Sequence, residues 1–311
     1  MDQYILFYPG PVNVSRRIFI SANQILPPSE REFMEVLNEI EELLIEIFDL
    51  PEDYTIFLLP GSGTAAIEAT LSSLLTHDDK LLVINDGVYG EHIINIAKLH
   101  KIATIEVTTL WDVPVNYSTI EEIISKDSSI KFIGFVHHET STGLINYIEE
   151  ICKIANEYKR VTIIDAISSL GGERFDFQNW RPGAVITSSY ACLQSLPGIS
   201  IIFLKNELLE ILLKAKPKSF YLNLGNYYVL KMNKRLPFTL PVQIVTALRE
   251  ALLELNEEGL LKRIERYRYF KDMIKENLLE MGYELFLDES VNSSSSLLTV
   301  RIPEGYNFDD I

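Results

Sequence analysis

A chain of 311 residues, 47% hydrophobic and 23% charged, is long enough for one large α/β domain plus a smaller one and too apolar to stay disordered. Its 44 acidic and 28 basic residues leave a formal net charge of −16, which would repel a phosphate backbone and argues against nucleic acid as a partner. No apolar run approaches the roughly 18 residues a membrane helix needs, the first residues do not read as a signal peptide, and Cys152 and Cys192 have neither metal-ligand nor redox spacing. A soluble, cytoplasmic protein with no membrane contact is expected.

Taken in order, Pro9-Gly10-Pro11 is a turn signal that ends any first strand at Tyr8. A helix is predicted over 29–48, with Ser29 placed to cap it and Phe33, Leu37, Ile40, Leu44 and Ile47 recurring at helical spacing. A buried-type strand over 55–59 is broken by Pro60-Gly61-Ser62-Gly63-Thr64, and a helix follows with Ala66, Ile67, Ala69, Leu71, Leu74 and Leu75 as its apolar positions. Further strands are predicted at 81–84, 103–107, 132–137, 161–165, 185–188 and 199–204, with helices at 91–100, 120–125 and 148–158 between them. Such alternation implies βαβ units and a mostly parallel seven-stranded sheet with helices on both faces, where ligands bind outside the carboxyl ends of the strands.

The pattern over 242–280 is helical and breaks near Glu258-Gly259, and strands are predicted at 283–287 and 297–302 around a serine run at 293–296. A helix followed by strands reads as a smaller α+β domain, so the domains are drawn at 1–240 and 241–311. Asp309-Asp310-Ile311 reads as the opening of another helix, and the small domain is therefore expected to be incomplete.

Several strand ends carry chemistry. Gly61-Ser62-Gly63-Thr64 lies between a strand and a helix, where glycines admit close approach and the helix start offers N–H groups to a phosphate; an ordinary cap would look the same. Asp165 ends an apolar strand and can either hold a positive charge, such as a protonated ring nitrogen, or cap the next turn. His137-His138-Glu139 invites a metal reading, but adjacent strand histidines point to opposite faces, and hydroxyl contacts from Thr140 or Thr142 fit a ligand better. Tyr89, in Asp86-Gly87-Val88-Tyr89-Gly90, can lay its ring on a planar ligand. The small, polar loop over 187–198 joins two buried-type strands, yet offers no acid or base and no nucleophile beyond serines, a tyrosine and a cysteine. Together the strand ends converge on one small, flat, anionic ligand.

With Tyr8-Pro9-Gly10-Pro11, Asp165-Ala166-Ile167-Ser168-Ser169-Leu170-Gly171-Gly172 and Ser188-Ser189-Tyr190-Ala191-Cys192-Leu193-Gln194 added, the ordered set of motifs resembles the class V aminotransferase family over nearly the whole chain. These are fold-type I enzymes dependent on pyridoxal 5'-phosphate (PLP). The resemblance implies Ser62, Gly63 and Thr64 on the cofactor phosphate, and Tyr89 and Ile167 on the two faces of its ring. It also implies Thr140 or Thr142 near the ring hydroxyl or the substrate, Asp165 paired with the pyridine nitrogen, and Ser189 and Tyr190 among the cofactor contacts. Thr239 matches a residue that reaches the phosphate of a neighbouring subunit, which implies a homodimer with shared active sites.

The departure from the pattern is Ala191. It falls 26 positions after Asp165 (191 − 165), where the resemblance places the lysine whose amine forms the Schiff base with the cofactor and then moves protons. Alanine can do neither, and no neighbour is an obvious stand-in. Either this is a lysine-to-alanine variant, which the otherwise intact motif set favours, or a natural homologue that has lost transamination. The implied activity is transfer of an amino group from a small amine, 2-aminoethylphosphonate in first place, to the 2-oxo acid pyruvate. Alternatives are an alanine–glyoxylate or serine–pyruvate type of transfer, or a non-catalytic PLP-binding protein. The chain as it stands is expected to hold PLP without a covalent link and to turn over very slowly, and the family's substrate-anchoring arginine is expected beyond Ile311.

Overall fold

Strand runs such as Leu81-Leu82-Val83-Ile84 are apolar at every position, the pattern of strands covered on both faces rather than one. A computed structural model describes residues 4–24, 26–27 and 31–307 of the chain, and the predicted cap Ser29 and the 309–311 segment lie outside them. The strands are β1 (Tyr54–Pro60), β2 (Lys80–Asn85), β3 (Ala103–Thr108), β4 (Ile130–Val136), the two-residue pair β5 (His138–Glu139) and β6 (Leu144–Ile145), β7 (Val161–Asp165), β8 (Ala184–Ser188) and β9 (Ile199–Lys205). Seven of them form one sheet in the order β1-β9-β8-β7-β4-β2-β3.

The sheet is mostly parallel, as the alternation implied, with β9 antiparallel to both of its neighbours. The cause is the link before it. Parallel neighbours need a crossover of a dozen residues or more, whereas β8 and β9 are joined directly by the 189–198 loop, which folds back like a long hairpin. The other strands of the sheet therefore end on one edge, and that edge carries Gly61, Asp86, His137, Asp165 and Ser189.

The helices are α1 (Arg16–Ser21), α2 (Arg31–Phe48), α3 (Gly63–Leu74), α4 (Val88–Leu99), α5 (Tyr117–Lys126), α6 (Ile148–Glu157), α7 (Phe177–Trp180), α8 (Leu209–Lys214), α9 (Leu224–Met232), α10 (Val242–Glu258) and α11 (Leu260–Glu280). One core joins α2, α5, α6 and α10 to one face of the sheet through Phe33, Ile40, Ile120, Ile151, Phe203 and Leu248. A second joins α3, α4 and α9 to the other face through Ile67, Leu71, Ile93, Leu81, Ile202 and Leu224.

Both ends of the chain differ in detail from a plain reading of the pattern. Residues 4–8 form no strand, and their apolar side chains, Phe7 and Tyr8 among them, stay exposed. The predicted strands at 283–287 and 297–302 do lie side by side, with Phe286 N–H donating to Thr299 O and Arg301 N–H to Glu284 O, each at 2.8 Å. Their pairing stops at a single Leu285–Val300 bridge, because Ser293 is drawn instead onto Leu144 of β6. Finally, Val245, Leu248, Leu252 and Leu255 of α10 are buried in the same core as α2, so packing runs continuously across the boundary drawn at 240. Beyond Gly259 burial falls away, and α11 buries only Arg263 and Ile264.

Phe203 illustrates the first core: it is fully buried, edge-on to Phe48 at 6.2 Å and tilted against Phe177 at 5.3 Å. Phe203→Ala is expected to cost about 3–5 kcal/mol of stability, read by denaturant unfolding of the two proteins.

Candidate active site at the carboxyl edge of the sheet

The residue that sets the site's electrostatics is Asp165, at the end of β7. Its strand is central in the sheet, so the carboxylate is buried, at 4% exposure. Oδ1 accepts the Ile167 N–H at 2.9 Å, and the carboxylate forms no ion pair among the described residues. Burial pushes its pKa up to about 7, against the pull of the Ile167 N–H, with the charge of Glu139 adding to the rise. A buried carboxylate this poorly matched is suited to receive a positive charge.

Glu139 comes from β5 and is fully buried, but every part of it is used. Oε2 accepts the Tyr89 and Gly90 N–H groups at 2.9 and 3.3 Å, and Oε1 accepts the Ser141 N–H and hydroxyl at 3.1 and 2.6 Å. It thereby caps the start of α4, the positive end of the helix dipole, and α4 begins at Val88 rather than at the predicted 91. The approach needs glycine at 87, since an added Cβ there would lie 2.4 Å from Glu139 Cγ. Tyr89 is held at the head of that helix, 40% exposed and edge-on to His92 at 5.3 Å.

Ser62 caps α3 by accepting the Ala65 N–H, and Ser62 and Thr64 are exposed at its first turn. Ile167 packs against that turn. A Cβ at Gly63 would stand 2.2 Å from Ile167 Cδ1, so only glycine lets the two loops touch. Ser62, Gly63 and Thr64, Ile167 and Asp165 are thus brought together by the ends of β1 and β7. Tyr190 belongs to the same region: its phenol pKa is raised by burial, with Tyr89, Asp165 and Tyr8 adding to the rise.

Ala191 lines a cavity of about 90 Å³ with His138, Thr140, Ser168, Cys192 and Tyr8. It opens beside a trough of about 560 Å³ bordered by Thr140, Phe7, Tyr267 and Lys271. A separate groove of about 210 Å³ beside Met34, Ile56 and Tyr227 contains none of these groups. The two histidines part as strand geometry requires, His137 lying edge-on to Phe175 at 5.9 Å and His138 turning to Ser168 O at 2.8 Å.

The other expected site residues sit differently. Thr142 is fully buried and its hydroxyl is spent on its own turn, donating to Glu139 O and accepting the Leu144 N–H, both at 3.2 Å. Ser189 is likewise buried, and its hydroxyl donates to Leu196 O at 2.6 Å, closing the 189–198 loop. Thr239 is exposed and borders a different hollow, with Met34 and Phe238, away from the cluster.

Residues 23–311 match the family model for class-V aminotransferases. The chain belongs to that family. Its members are PLP enzymes. Among curated relatives it is 34% identical to a 2-aminoethylphosphonate–pyruvate transaminase of Bacillus cytotoxicus, over 99% of this chain and 85% of that protein. It is 31% identical to one of Bacillus cereus, over 100% and 86%. Among solved structures it is similar to ureidoglycine–glyoxylate aminotransferase of Bacillus subtilis, with a TM-score of 0.90 and 26% identity over 97% of this chain and 78% of that one. Pyridoxamine–pyruvate aminotransferase of Mesorhizobium loti shares the fold, at a TM-score of 0.92 and 22% identity, covering 99% and 79%.

For a class-V aminotransferase cofactor the residues fit in one respect and not in another. The uncompensated Asp165, the open first turn of α3 and the wall made by Ile167 and Tyr89 suit a flat, anionic ring with a positive nitrogen. The methyl group of Ala191 offers no amine. Sequence reasoning missed Glu139 as the cap of α4, and His138, Tyr267 and Ser296 as walls of the cavity. A Gly directly before a helix, which leaves no side chain at the capping position itself, is the signal that α4 borrows its cap from elsewhere.

The raised pKa of Asp165 sets a test in the ligand-free chain. A carboxyl whose folded pKa lies above its unfolded value of about 3.9 contributes stability fully below that pH and loses it as pH rises through about 7. Asp86, also pushed up to about 7, chiefly by burial, does the same. Asp165→Asn is therefore expected to match the native chain near pH 4, to lose less stability as pH rises and to be the more stable of the two at about pH 8. Superimposable unfolding profiles across that range would contradict the assignment.

Proposed function

We propose that this chain binds PLP or its amine form without a covalent link, at the cluster formed by Ser62, Gly63, Thr64, Tyr89, Thr140, Asp165, Ile167 and Tyr190. The observation that carries the reading is Asp165, a buried carboxylate without a cationic partner among the described residues. When bound, the cofactor supplies an electron sink for the carbanion formed at the amine carbon. The chain's own residues do the rest. Asp165 keeps the ring nitrogen charged, and the first turn of α3 holds the phosphate with N–H groups and two hydroxyls. Ile167 and Tyr89 fix the plane of the ring, and Glu139 fixes Tyr89 by anchoring α4.

The substrate pair we infer is 2-aminoethylphosphonate and pyruvate. The relatives' activities support it, and Lys271 on the trough wall provides a cation for an anionic substrate end. An alanine–glyoxylate type of transfer is the second reading, favoured by solved structures such as the alanine–glyoxylate aminotransferase of Nostoc sp., at a TM-score of 0.91 and 24% identity over 98% of this chain and 81% of that one. We further propose that Ala191 stands where a catalytic lysine would, that Thr239 acts across a homodimer interface, and that the protein works in the cytoplasm. The exposed position of Thr239 is in keeping with a partner's site.

The test is Ala191→Lys. With PLP added it is expected to acquire the visible absorbance of a covalently held cofactor. Amino transfer from 2-aminoethylphosphonate to pyruvate is expected to rise by about 10²–10⁴-fold, the usual worth of a positioned acid–base group. A variant that shows neither the band nor transfer from any amine would sink the transaminase reading. Transfer from alanine alone would favour the second one.

A further inference from the structure

His138, one of the residues lining the cavity beside Ala191, has a ring nitrogen that is left unused. His138 is 3% exposed, and its Nδ1 lies 2.8 Å from Ser168 O. A carbonyl oxygen can only accept, so Nδ1 carries the proton and Nε2 is left as a bare lone pair. That atom is buried and has no partner among the described residues. Burial lowers the ring's pKa to about 4, so the imidazole stays neutral and cannot become a donor there near neutral pH.

The surrounding groups do not answer it. The Cys192 thiol, held protonated by burial with its pKa pushed up to about 12, donates to the same Ser168 oxygen at 3.2 Å. None of the residues lining the cavity is a lysine or an arginine, and Ala191 contributes a methyl group. An acceptor in a desolvated pocket costs free energy until an N–H or O–H donor enters.

We propose that His138 Nε2 is a recognition site for a primary amine, so that this chain prefers the amine form of the cofactor over forms that lack an amino group. The inference rests on the cofactor reading above and deepens it. The 90 Å³ cavity borders Thr140 and Ala191, so the group that enters it is the one presented toward the position of the absent lysine. In that place the lone pair of His138 accepts an N–H of the ligand, and Thr140 offers a hydroxyl beside it.

Binding of two small molecules tests this without any turnover. Pyridoxamine 5'-phosphate carries the aminomethyl group, and 4-deoxypyridoxine 5'-phosphate has a methyl group in its place. Their dissociation constants would be measured calorimetrically for the native chain, His138→Leu and His138→Gln. The native chain is expected to favour the amine by about tenfold or more. His138→Leu is expected to bind the deoxy compound as the native chain does and to lose the preference. His138→Gln, whose amide can donate to Ser168 and turn its oxygen to the cavity, is expected to keep most of it. A native chain without preference, a leucine variant that retains it, or a glutamine variant that loses it would overturn the proposal. Failure of the native chain to bind either compound would overturn the cofactor reading itself, and with it this inference.

Discussion

A carboxylate held in the interior with one N–H to meet it is the constraint on which the site depends. Asp165 reaches that position because β7 is a central strand, flanked by β4 and β8, so its carboxyl end opens into protein rather than solvent. Among the described residues only the Ile167 N–H offsets the desolvation, and not fully, as the raised pKa records. On the proposed reading, stability is given up there for affinity toward a cation, and the two large cores on either face of the sheet supply the margin that allows it.

The surroundings of Ala191 are stiffened in a way that a discarded loop would not need. Gln194, at φ +57°, donates to the Tyr267 hydroxyl at 2.5 Å, and the buried Arg263 pairs with Glu258 at 2.7 Å while reaching Cys192 O at 3.4 Å. Glu173 accepts the Ser295 N–H and hydroxyl and the Ser294 hydroxyl, which docks the serine run next to the cavity. Helix α11 and the 293–296 segment thus act as a back wall for the 189–198 loop. Ala191 and its neighbours are therefore held firmly in place.

How much of this was legible in the sequence depended on the kind of signal. Most of the seven sheet strands were written in largely apolar runs, and Asp165, Ser62 and Tyr89 stood out because each lies at or shortly after the end of such a run. Hydroxyls were harder: Thr142 and Ser189 look like Thr140 in sequence, yet their groups are consumed by local turns, and only backbone geometry separates the cases. Glu139 was hidden because its partners are the N–H groups of a helix some fifty positions away in sequence. The strands at 283–287 and 297–302 carried real β-pattern, but the pull of Ser293 toward β6 ends their ladder after one bridge. The unmet lone pair of His138 follows from which atom Ser168 presents, and no pattern of residues encodes that.

The central claim is that Asp165 exists to neutralise a bound cation. Titrating PLP into the native chain and Asp165→Asn at the same pH, followed by protein fluorescence, tests it directly. Loss of a charge-assisted contact worth about 1.5–3 kcal/mol is expected to weaken binding by tenfold or more in the variant. Equal affinities for the two proteins would mean that the positive nitrogen does not sit at Asp165, and the account of the site would be wrong.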